Sequence, residues 1–321
     1  MTDGRARGAV CVLGGTGFVG RALATRLVRK GYAVHIPTRN RQQARDMLVL
    51  PGLELIQADV HDPVQLAALL RGTDAVINLV GILNERGHDG SGFEQAHVAL
   101  AEKLMAACRR AGVRRLIQMS ALKANAERGP SHYLRTKGQA EQIIQSQAGE
   151  SVQYTIFRPS VIFGPGDSFC NRFARLLRFL PMLPMSQLSA RFAPVYVGDV
   201  AEVLVRALPD SASFGQTYEL CGPDIFTLEE ILRFICRVLG IRRAFPRLPR
   251  PLGRFQAFVG EYLPGKPFSR DNFRSLTVAS VCRDNGFAAF GIVPKRMEPI
   301  VSAYLGGATD ELARIRQGSR I

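Results

Sequence analysis

Residues 10–20 read Val-Cys-Val-Leu-Gly-Gly-Thr-Gly-Phe-Val-Gly, and the rest of the chain is arranged around them. The valine-rich apolar run at 9–13 is typical of a buried parallel strand. The glycines allow a tight turn and a close backbone approach, and apolar residues at 19, 23 and 27 then indicate a helix. Such a helix N-terminus can hold a pyrophosphate through unpaired N–H groups and its dipole. The stretch therefore predicts a phosphate-binding turn, although a tight strand–helix turn also needs glycine for structural reasons alone.

Strand-like and helix-like segments alternate after this turn up to residue 158, which is the pattern of repeated βαβ units. We predict strands at 33–37, 53–57, 75–80, 115–119 and 154–158, and helices at 42–48, 63–70, 94–111 and 133–148. These elements predict an α/β fold, a Rossmann-type doubly wound parallel sheet with a small, mostly helical C-terminal substrate or docking region.

The expected domain division follows from where this alternation is lost. Residues 1–164 are expected to form the nucleotide-binding domain, with 194–210 returning to it. Residues 165–193 and 211–321 form the smaller region, which opens after Gly215 with a predicted strand at 217–221.

The residues after the second predicted strand indicate the type of dinucleotide. An NAD site usually places a carboxylate here for the ribose 2′-hydroxyl, whereas a 2′-phosphate needs a cation. Residues 36–41 read Ile-Pro-Thr-Arg-Asn-Arg, with no carboxylate before Asp46. Arg39 can pair with a phosphate through its planar guanidinium, and Thr38 can add a hydroxyl. NADP(H) is therefore the expected cofactor, and a solvated loop arginine is the alternative.

Further candidate cofactor contacts follow the next two strands. Asp59, after the third strand, is placed to meet the adenine, and residues 78–81 (Asn-Leu-Val-Gly) close the fourth strand beneath the nicotinamide-side ribose. Each alone could instead cap a helix or form a turn. The predicted cofactor-binding residues are Gly14, Thr16, Gly17, Phe18, Val19, Gly20, Thr38, Arg39, Asp59, Val60, Asn78, Leu79, Val80, Gly81, Tyr133, Lys137, Pro159 and Val161.

Residues 131–137, Ser-His-Tyr-Leu-Arg-Thr-Lys, carry the candidate catalytic pair. Tyr133 and Lys137 are four residues apart and therefore share one face of a helix. An ammonium group beside a phenol helps the phenol to exchange a proton with a carbonyl or an alcohol, and the lysine can also hold ribose hydroxyls. Tyr133, Lys137 and Ser120 are the predicted catalytic residues, and no metal ligands are predicted.

Together these motifs resemble the short-chain dehydrogenase/reductase superfamily in its extended or atypical form. Later landmarks of that superfamily are matched at 158–160 and at 194–200. More specifically, the stretches at 77–81, 120–125, 133–137 and 162–164 are similar to the branch that contains the NADPH-binding accessory subunit of mitochondrial complex I and its bacterial relatives. This resemblance implies a tightly held NADPH, with a structural role in the mitochondrial member.

Two positions depart from the pattern of active reductases in this superfamily. The catalytic hydroxyl often lies two residues beyond the first serine after the fifth strand, but here Ser120 is followed by Leu122 at that position. The asparagine that active members often carry on the preceding helix is replaced by His97. Ser120 is therefore expected either to complete a proton relay with Tyr133 and Lys137 or only to contact the nicotinamide. Tyr133 is expected either to act as an acid or to clamp the cofactor.

Composition limits the class of protein. The chain has 321 residues, with 42 Lys and Arg against 27 Asp and Glu, a net charge of +15. This excess favours an anionic membrane surface or nucleic acid as a partner, or reflects only a solvated arginine-rich surface. The six cysteines are scattered without metal-ligand or disulfide spacing, so we expect free thiols in a reducing compartment. Without a bilayer-length apolar run or a signal-peptide core at 1–8, we expect a cytoplasmic protein that is at most peripheral on the inner face of the membrane.

A basic region at 233–274 contains nine arginines and Lys266 against Glu261 and Asp271, with aromatic residues between them. Arginine on the polar edge of an amphipathic stretch is typical of a membrane-surface helix. A lid over an apolar substrate, a docking face for a respiratory complex and an ordinary helical subdomain are the alternatives. Nucleic acid is disfavoured because no recognised reading module is present.

Three functions follow from these residues and the resemblance. The first is an NADP-dependent oxidoreductase acting on an apolar, quinone- or lipid-like substrate. The second is a non-catalytic, NADPH-stabilised subunit or assembly factor of a membrane respiratory complex. The third is a sugar-nucleotide epimerase or dehydratase, against which Leu122 and the apolar, basic second region argue. Fold alone does not decide among them.

Overall fold

The computed structural model describes residues 7–263, 266 and 268–318. The remaining positions of the predicted nucleotide-binding domain (1–6) and of the basic region (264, 265 and 267), like 319–321, lie outside the described residues. The strands are β1 (Ala9–Leu13), β2 (Ala33–Thr38), β3 (Leu53–Gln57), β4 (Ala75–Asn78), β5 (Arg115–Met119), β6 (Gln153–Pro159), β7 (Ile162–Phe163), β8 (Arg191–Phe192), β9 (Val195–Tyr196), β10 (Gln216–Leu220) and β11 (Phe226–Thr227).

The α-helices are α1 (Phe18–Arg29), α2 (Pro63–Leu69), α3 (Ser91–Phe93), α4 (Leu100–Ala111), α5 (His132–Ala148), α6 (Cys170–Phe179), α7 (Val197–Ala207), α8 (Leu228–Val238), α9 (Arg250–Gly260), α10 (Arg270–Ser275) and α11 (Met297–Gly318). The segments Gln42–Val49, Ser211–Ser213 and Gly286–Phe290 form 3-10 helices, and Glu94–Ala99 forms a π-helix.

Within the described chain the central sheet has seven parallel strands in the order β10-β6-β5-β4-β1-β2-β3. β1 pairs with β2 on one side and with β4 on the other, so the strand order reverses at β1. In such doubly wound sheets the ligand crevice lies at the carboxyl ends of the strands where the order reverses. The Rossmann-type sheet predicted from the alternating pattern is therefore confirmed, and the glycine turn lies at its switch point.

The strand predicted to open the second region belongs instead to this central sheet. β10 pairs in parallel with β6, from Gln216 opposite Thr155 to Leu220 opposite Pro159. The rings of Tyr218 and Phe157 stack with their centroids 5.7 Å apart. Two neighbouring parallel strands need a long crossover connection. Between β6 and β10 this connection includes residues 160–197 followed by α7. That long connection hides the relation between β6 and β10 in the sequence.

The chain divides into two compact units. Unit 1 comprises Met1–Pro159, Gly198–Leu220 and Asp284–Ile292, and unit 2 comprises Ser160–Val197, Cys221–Arg283 and Val293–Ile321. In unit 1, α2, α4 and α5 pack apolar residues such as Leu66, Leu104 and Ile144 against strands β1, β4 and β5. Unit 2 has its own core, in which α6, α8 and α11 contribute residues such as Leu177, Ile235 and Val301. No helix in the described part of the chain has both the length and the apolar character needed to cross a membrane.

The prediction that all cysteines are free thiols is wrong for two of them. Cys221 and Cys282, whose Cα atoms are 5.9 Å apart, form a disulfide within unit 2. The remaining cysteines are free and buried, at positions 11, 108, 170 and 236. A separation of 61 residues carries no pairing signal in the sequence, because only the folded chain brings Cys282 next to Cys221.

Candidate functional site

The glycine turn is shaped for a phosphate. Gly14 has a φ of +76°, and a Cβ there would lie 3.1 Å from the backbone carbon of Leu79 and from the nitrogen of Val80. A Cβ on Gly20 would collide with the Gly15 carbonyl oxygen, so α1 packs directly on the turn. Gly17 is the N-cap of α1 and supplies no side-chain cap, so the first N–H groups of the helix point into the turn without a side-chain acceptor. This cradle fits a pyrophosphate, and a side chain at Gly14 or Gly20 would press on the backbone that surrounds it.

The end of β2 offers a cation without a competing anion. Arg39 is exposed, and the described part of the chain gives it no hydrogen bond or ion pair. The Thr38 hydroxyl accepts a bond from the Asn40 N–H at 3.3 Å. The first carboxylate after the strand, Asp46, pairs with Arg21, whose Nε also donates to the Thr16 carbonyl at 3.0 Å. At the end of β2 the guanidinium of Arg39 is therefore available, whereas the nearest following carboxylate is engaged elsewhere.

The polar residue after β3 is exposed, whereas the polar residue that ends β4 is buried and makes two side-chain hydrogen bonds. Asp59 is exposed and accepts the His61 N–H at 3.0 Å, which closes a turn next to Val60. Asn78 is buried, and its side chain donates to Gln118 Oε1 at 2.9 Å and accepts the Val80 N–H at 3.1 Å. Gln118, on β5, was not singled out from the sequence, where a glutamine inside a strand carries no functional signal. Its bond to Asn78 fixes residues 78–81 at the edge of the crevice.

Lys137 joins two of the strand ends. Its side chain is buried, and Nζ donates to the Val80 carbonyl at 3.2 Å and to the Met119 carbonyl at 3.1 Å. A Cβ on Gly81 would come within 3.1 Å of the same nitrogen, so glycine leaves room for it. Burial lowers the pKa of Lys137 to about 8, and the charge of Glu141 partly opposes this effect. The Lys137 ammonium group therefore lies at the carboxyl ends of β4 and β5, within unit 1.

Ser120 carries a hydroxyl that the protein itself leaves unsatisfied. The residue is buried directly after β5, and its Oγ has no hydrogen-bond partner among the described residues. Its N–H donates to the Phe157 carbonyl at 2.7 Å, and the preceding Met119 carbonyl accepts from Lys137. A buried hydroxyl without a partner costs free energy unless a ligand or water satisfies it. Leu122, at the position of the superfamily's usual catalytic hydroxyl, is buried and apolar.

Tyr133 and Lys137 both lie on α5, as the sequence predicts, and a histidine supports the tyrosine. The Tyr133 ring is only partly buried and meets the ring of His97 edge-on, with centroids 5.6 Å apart. His97 lies in the π-helix Glu94–Ala99, a rare distortion that is frequent at functional sites. It interrupts the single helix predicted over 94–111 and places His97 opposite α5.

The tautomer of His97 follows from its neighbours. Its Nδ1 lies 2.8 Å from Thr136 Oγ1, and that hydroxyl donates to the His132 carbonyl, so Nδ1 must carry the proton. Nε2 accepts the Ile82 N–H at 3.4 Å. Burial, with the charge of Lys137 adding to it, lowers the pKa of His97 to about 2. His97 is therefore neutral, and it links the helix carrying Tyr133 to the loop after β4. Thr136, between the catalytic candidates, was not identified from the sequence.

The last two predicted cofactor contacts lie in different units. The Pro159 carbonyl accepts the Leu122 N–H at 2.9 Å in unit 1, and the Val161 carbonyl accepts the Val195 N–H at 2.9 Å in unit 2. Their contact with a cofactor stays a prediction. Within the described residues no group of three His, Cys, Asp or Glu side chains is arranged to hold a metal ion.

Comparison with known proteins agrees with this geometry. The model of the NAD dependent epimerase/dehydratase family matches residues 10–221. Subunit 9 of the NADH dehydrogenase (ubiquinone) 1 alpha subcomplex from Arabidopsis thaliana mitochondria is 31% identical over 307 residues, covering 89% of this chain and 74% of that protein. A ceramide reductase from Caulobacter vibrioides is 29% identical over 249 residues, 77% of this chain and 75% of the reductase. Among solved structures, MoeE5 in complex with UDP-glucose and NAD is similar in fold, with a TM-score of 0.73 over 95% of this chain and 100% of that one at 19% identity.

Proposed function

The chain belongs to the NAD dependent epimerase/dehydratase family, and we propose that it is an NADP(H)-dependent oxidoreductase for an apolar carbonyl or alcohol. The observation that carries the proposal is the buried Lys137 ammonium, held by two strand-end carbonyls one helical turn from a partly exposed Tyr133. A buried lysine costs free energy, so its retention beside a phenol at the sheet's switch point supports a catalytic use.

The residues present fit the cofactor. The turn at 14–20 would hold the pyrophosphate, Arg39 and Thr38 the 2′-phosphate, and Asp59 the adenine side. Residues 78–81 and the unsatisfied Ser120 hydroxyl would face the nicotinamide side. The bound cofactor supplies or accepts the hydride.

The chain's own chemistry is proton transfer. In the reducing direction, the Tyr133 phenol would give its proton to the substrate oxygen, so that a ketone would leave as an alcohol and a quinone as a quinol. The Lys137 ammonium stabilises the phenolate that remains, and the reverse direction returns the proton to Tyr133. His97 cannot take this part because its pKa of about 2 keeps it neutral. It acts as a positioning residue through its contacts with Tyr133 and Thr136.

An apolar substrate is supported by two observations. The ceramide reductase relative acts, by its name, on a lipid. In this chain the superfamily's usual position of the catalytic hydroxyl holds the buried, apolar Leu122, which argues against a sugar-nucleotide epimerase or dehydratase. Quinones and long-chain ketones are therefore the first substrates to try.

The proposal is tested with Tyr133→Phe and, as the matched control, Tyr32→Phe near the start of β2. We expect Tyr133→Phe to lower NADPH oxidation with a quinone or long-chain ketone by about 100-fold or more, while the variant still binds the nucleotide and keeps its melting temperature. The control should keep full turnover. Wild-type protein that binds NADPH but reduces none of these substrates, or a Tyr133→Phe variant with full turnover, would contradict the catalytic assignment.

Cofactor choice is tested at Arg39. Losing a charged hydrogen bond to phosphate costs about 1.5–3 kcal/mol, so Arg39→Gln should weaken NADPH binding about 10- to 100-fold and leave NADH binding unchanged. Arg41→Gln, an exposed neighbour, is the control. Equal affinity of the wild type for NADH and NADPH would refute the assignment of the 2′-phosphate to Arg39.

A non-catalytic, NADPH-stabilised subunit is the second candidate, favoured by Leu122 and by the complex I relative. The two candidates differ in how long the nucleotide stays bound. Exchange of labelled NADPH within seconds supports an enzyme, whereas exchange over hours supports a structural cofactor that stabilises the fold by mass action.

A further inference from the structure

Helix α9 buries its small residues and exposes its large apolar ones, which is the reverse of an ordinary surface helix. Its inward face is made of the small residues Gly253, Ala257 and Gly260, all buried. A Cβ on Gly253 would collide with Ser186, and a Cβ on Gly260 would collide with the Phe268 carbonyl, so the helix backbone lies directly on the rest of unit 2. The small residues thus bring the helix close and leave its large residues on the other side.

The outward face of α9 and of the turn after it is apolar. Leu252, Phe255 and Val259 are 53%, 64% and 42% exposed, and Phe258, Tyr262 and Leu263 are exposed beside them. Spacings of three and four residues put these side chains on one side of the helix. We call residues 252, 255, 258, 259, 262 and 263 the apolar face. Clustered exposed apolar side chains of this kind mark an interaction site.

A segment of unit 2 that is paired with the chain before α9 also exposes apolar side chains. Phe179, Leu180 and Met182, at and after the end of α6, are exposed as well. The chain beyond them runs beside the segment before α9, since Met182 pairs with Ala244 and the Leu183 N–H donates to the Ala244 carbonyl at 2.9 Å. The Gln256 side chain ties α9 to the same segment through a 2.8 Å bond to the Pro184 carbonyl.

The charges around the apolar face have one sign. Arg250 and Arg254 are exposed on α9 itself, and the stretch 242–263 contains five arginines and a single acid, Glu261. Glu261 is buried, and its Oε2 accepts a hydrogen bond from the Arg270 Nε–H at 2.9 Å. It therefore offers no free anion at the surface. A partner that carries negative charge complements this stretch.

We propose that α9 and the turn after it dock on the surface of an anionic lipid bilayer, with the apolar face among the acyl chains and Arg250 and Arg254 at the headgroups. Aromatic and aliphatic side chains flanked by arginine are the composition of helices that lie in the membrane interface, and long arginine side chains reach the headgroups while their stems stay apolar. The net charge of +15 adds long-range attraction to anionic lipid.

A bilayer fits this surface better than a protein partner does. Apart from the Tyr262 hydroxyl, the side chains of the apolar face carry no group that makes directional hydrogen bonds, and Gln256 is already bonded to Pro184. Protein interfaces usually carry several such bonds, whereas a lipid surface needs none. The inference does not rest on the proposed activity, because no residue of the candidate active site takes part.

The experiment is co-flotation of the full-length protein with vesicles of phosphatidylcholine alone and of phosphatidylcholine with phosphatidylglycerol. We expect binding to the anionic vesicles, weakened by added salt, and little binding to the neutral ones. Phe255→Ser should weaken binding about 10-fold or more, since burying a phenylalanine is worth about 1.5–3 kcal/mol. Arg250→Gln with Arg254→Gln should weaken it by about as much, because each arginine near the surface contributes about fivefold.

The matched control is Val49→Ser, which alters another exposed apolar residue, 81% accessible and located in unit 1, and should not affect binding. NADPH affinity and melting temperature measured on every variant show that each is folded, so a failure of the proposed activity stays separate from a failure of docking. Equal binding to neutral and anionic vesicles, no binding at all, or unchanged binding by Phe255→Ser overturns the proposal. A shift from dimer to monomer by Phe255→Ser in solution also overturns it, because the apolar face would then be an interface between copies of the chain.

Discussion

The two units depart from the usual partition of polar and apolar residues in opposite directions. Unit 1 buries polar and charged side chains, among them His97, Lys137 and Glu141, at and near the carboxyl ends of its strands. Unit 2 exposes large apolar ones, among them Phe179, Phe255 and Tyr262. Both arrangements cost free energy as long as the protein has no ligand or partner bound. Buried polarity suits a small polar ligand such as a dinucleotide, and exposed apolarity suits a broad apolar surface, so each unit shows the chemistry of what it is proposed to bind.

The largest effect expected from this contrast concerns ion pairs. Glu141 is buried, and its Oε1 accepts the Nε–H of Arg158 at 2.9 Å. Glu141→Gln leaves a partly buried guanidinium without its counter-charge, and we expect a loss of about 3–5 kcal/mol in the free energy of unfolding, measured by urea denaturation. Glu229→Gln, which breaks the exposed pairs with Arg233 and Arg247 in unit 2, should cost about 1 kcal/mol or less. Equal losses of unfolding free energy in the two variants would contradict the expected difference between the buried and the exposed ion pairs.

Helices α8 and α9 give the same comparison within unit 2. Leu232 on α8 is fully buried, and Leu232→Ala should cost about 2–5 kcal/mol because a cavity remains. Leu252 on α9 is 53% exposed, and Leu252→Ala should change stability by about 0.5 kcal/mol or less. Thermal or chemical unfolding of the two variants measures both values. A large loss for Leu252→Ala would mean that the apolar face is packed in the free protein.

The disulfide distinguishes the units by their response to reductant. Cys221 and Cys282 close a long loop in unit 2, and removing such a bridge should destabilise this unit by about 2–4 kcal/mol. Unfolding with and without dithiothreitol measures the effect, and a variant with both cysteines changed to alanine should show no further response. The buried free thiols at the other positions should not contribute, since they are already reduced. An unchanged transition in reductant would contradict the expectation.

The last comparison concerns the pH dependence that Lys137 imposes, which is small at any single pH step. Its pKa is about 8 in the folded protein and about 10.5 unfolded. Between these values the unfolded chain binds more protons, so stability should rise with pH by on the order of 1 kcal/mol per pH unit, because the cost of burying the charge is relieved. The difference in unfolding free energy between the wild type and Lys137→Met isolates this contribution. A difference that is flat over this range would show that Lys137 titrates normally.

Local pattern was enough to predict much of unit 1. The glycine turn, the alternating strands and helices and the four-residue spacing of Tyr133 and Lys137 are short-range signals, and the structure confirms the parallel sheet and the shared helix. The resemblance to the extended dehydrogenase/reductase branch is confirmed by the family match and by the complex I relative. Residues that act through partners distant in sequence were missed, such as Gln118 beside Asn78 and Thr136 beside His97.

The sequence by itself determined the type of sheet, the glycine turn at its switch point and the basic character of the second region, because each follows from residue type and spacing along a few turns or strands. Only the tertiary structure decided that 216–220 is a sheet strand, that Cys221 meets Cys282, and that α9 turns its small residues inward. An amphipathic pattern shows that a helix has two faces, but which face is buried depends on the surface it meets. On α9 that surface comes so close that only glycine and alanine fit, and the large apolar residues are left outside.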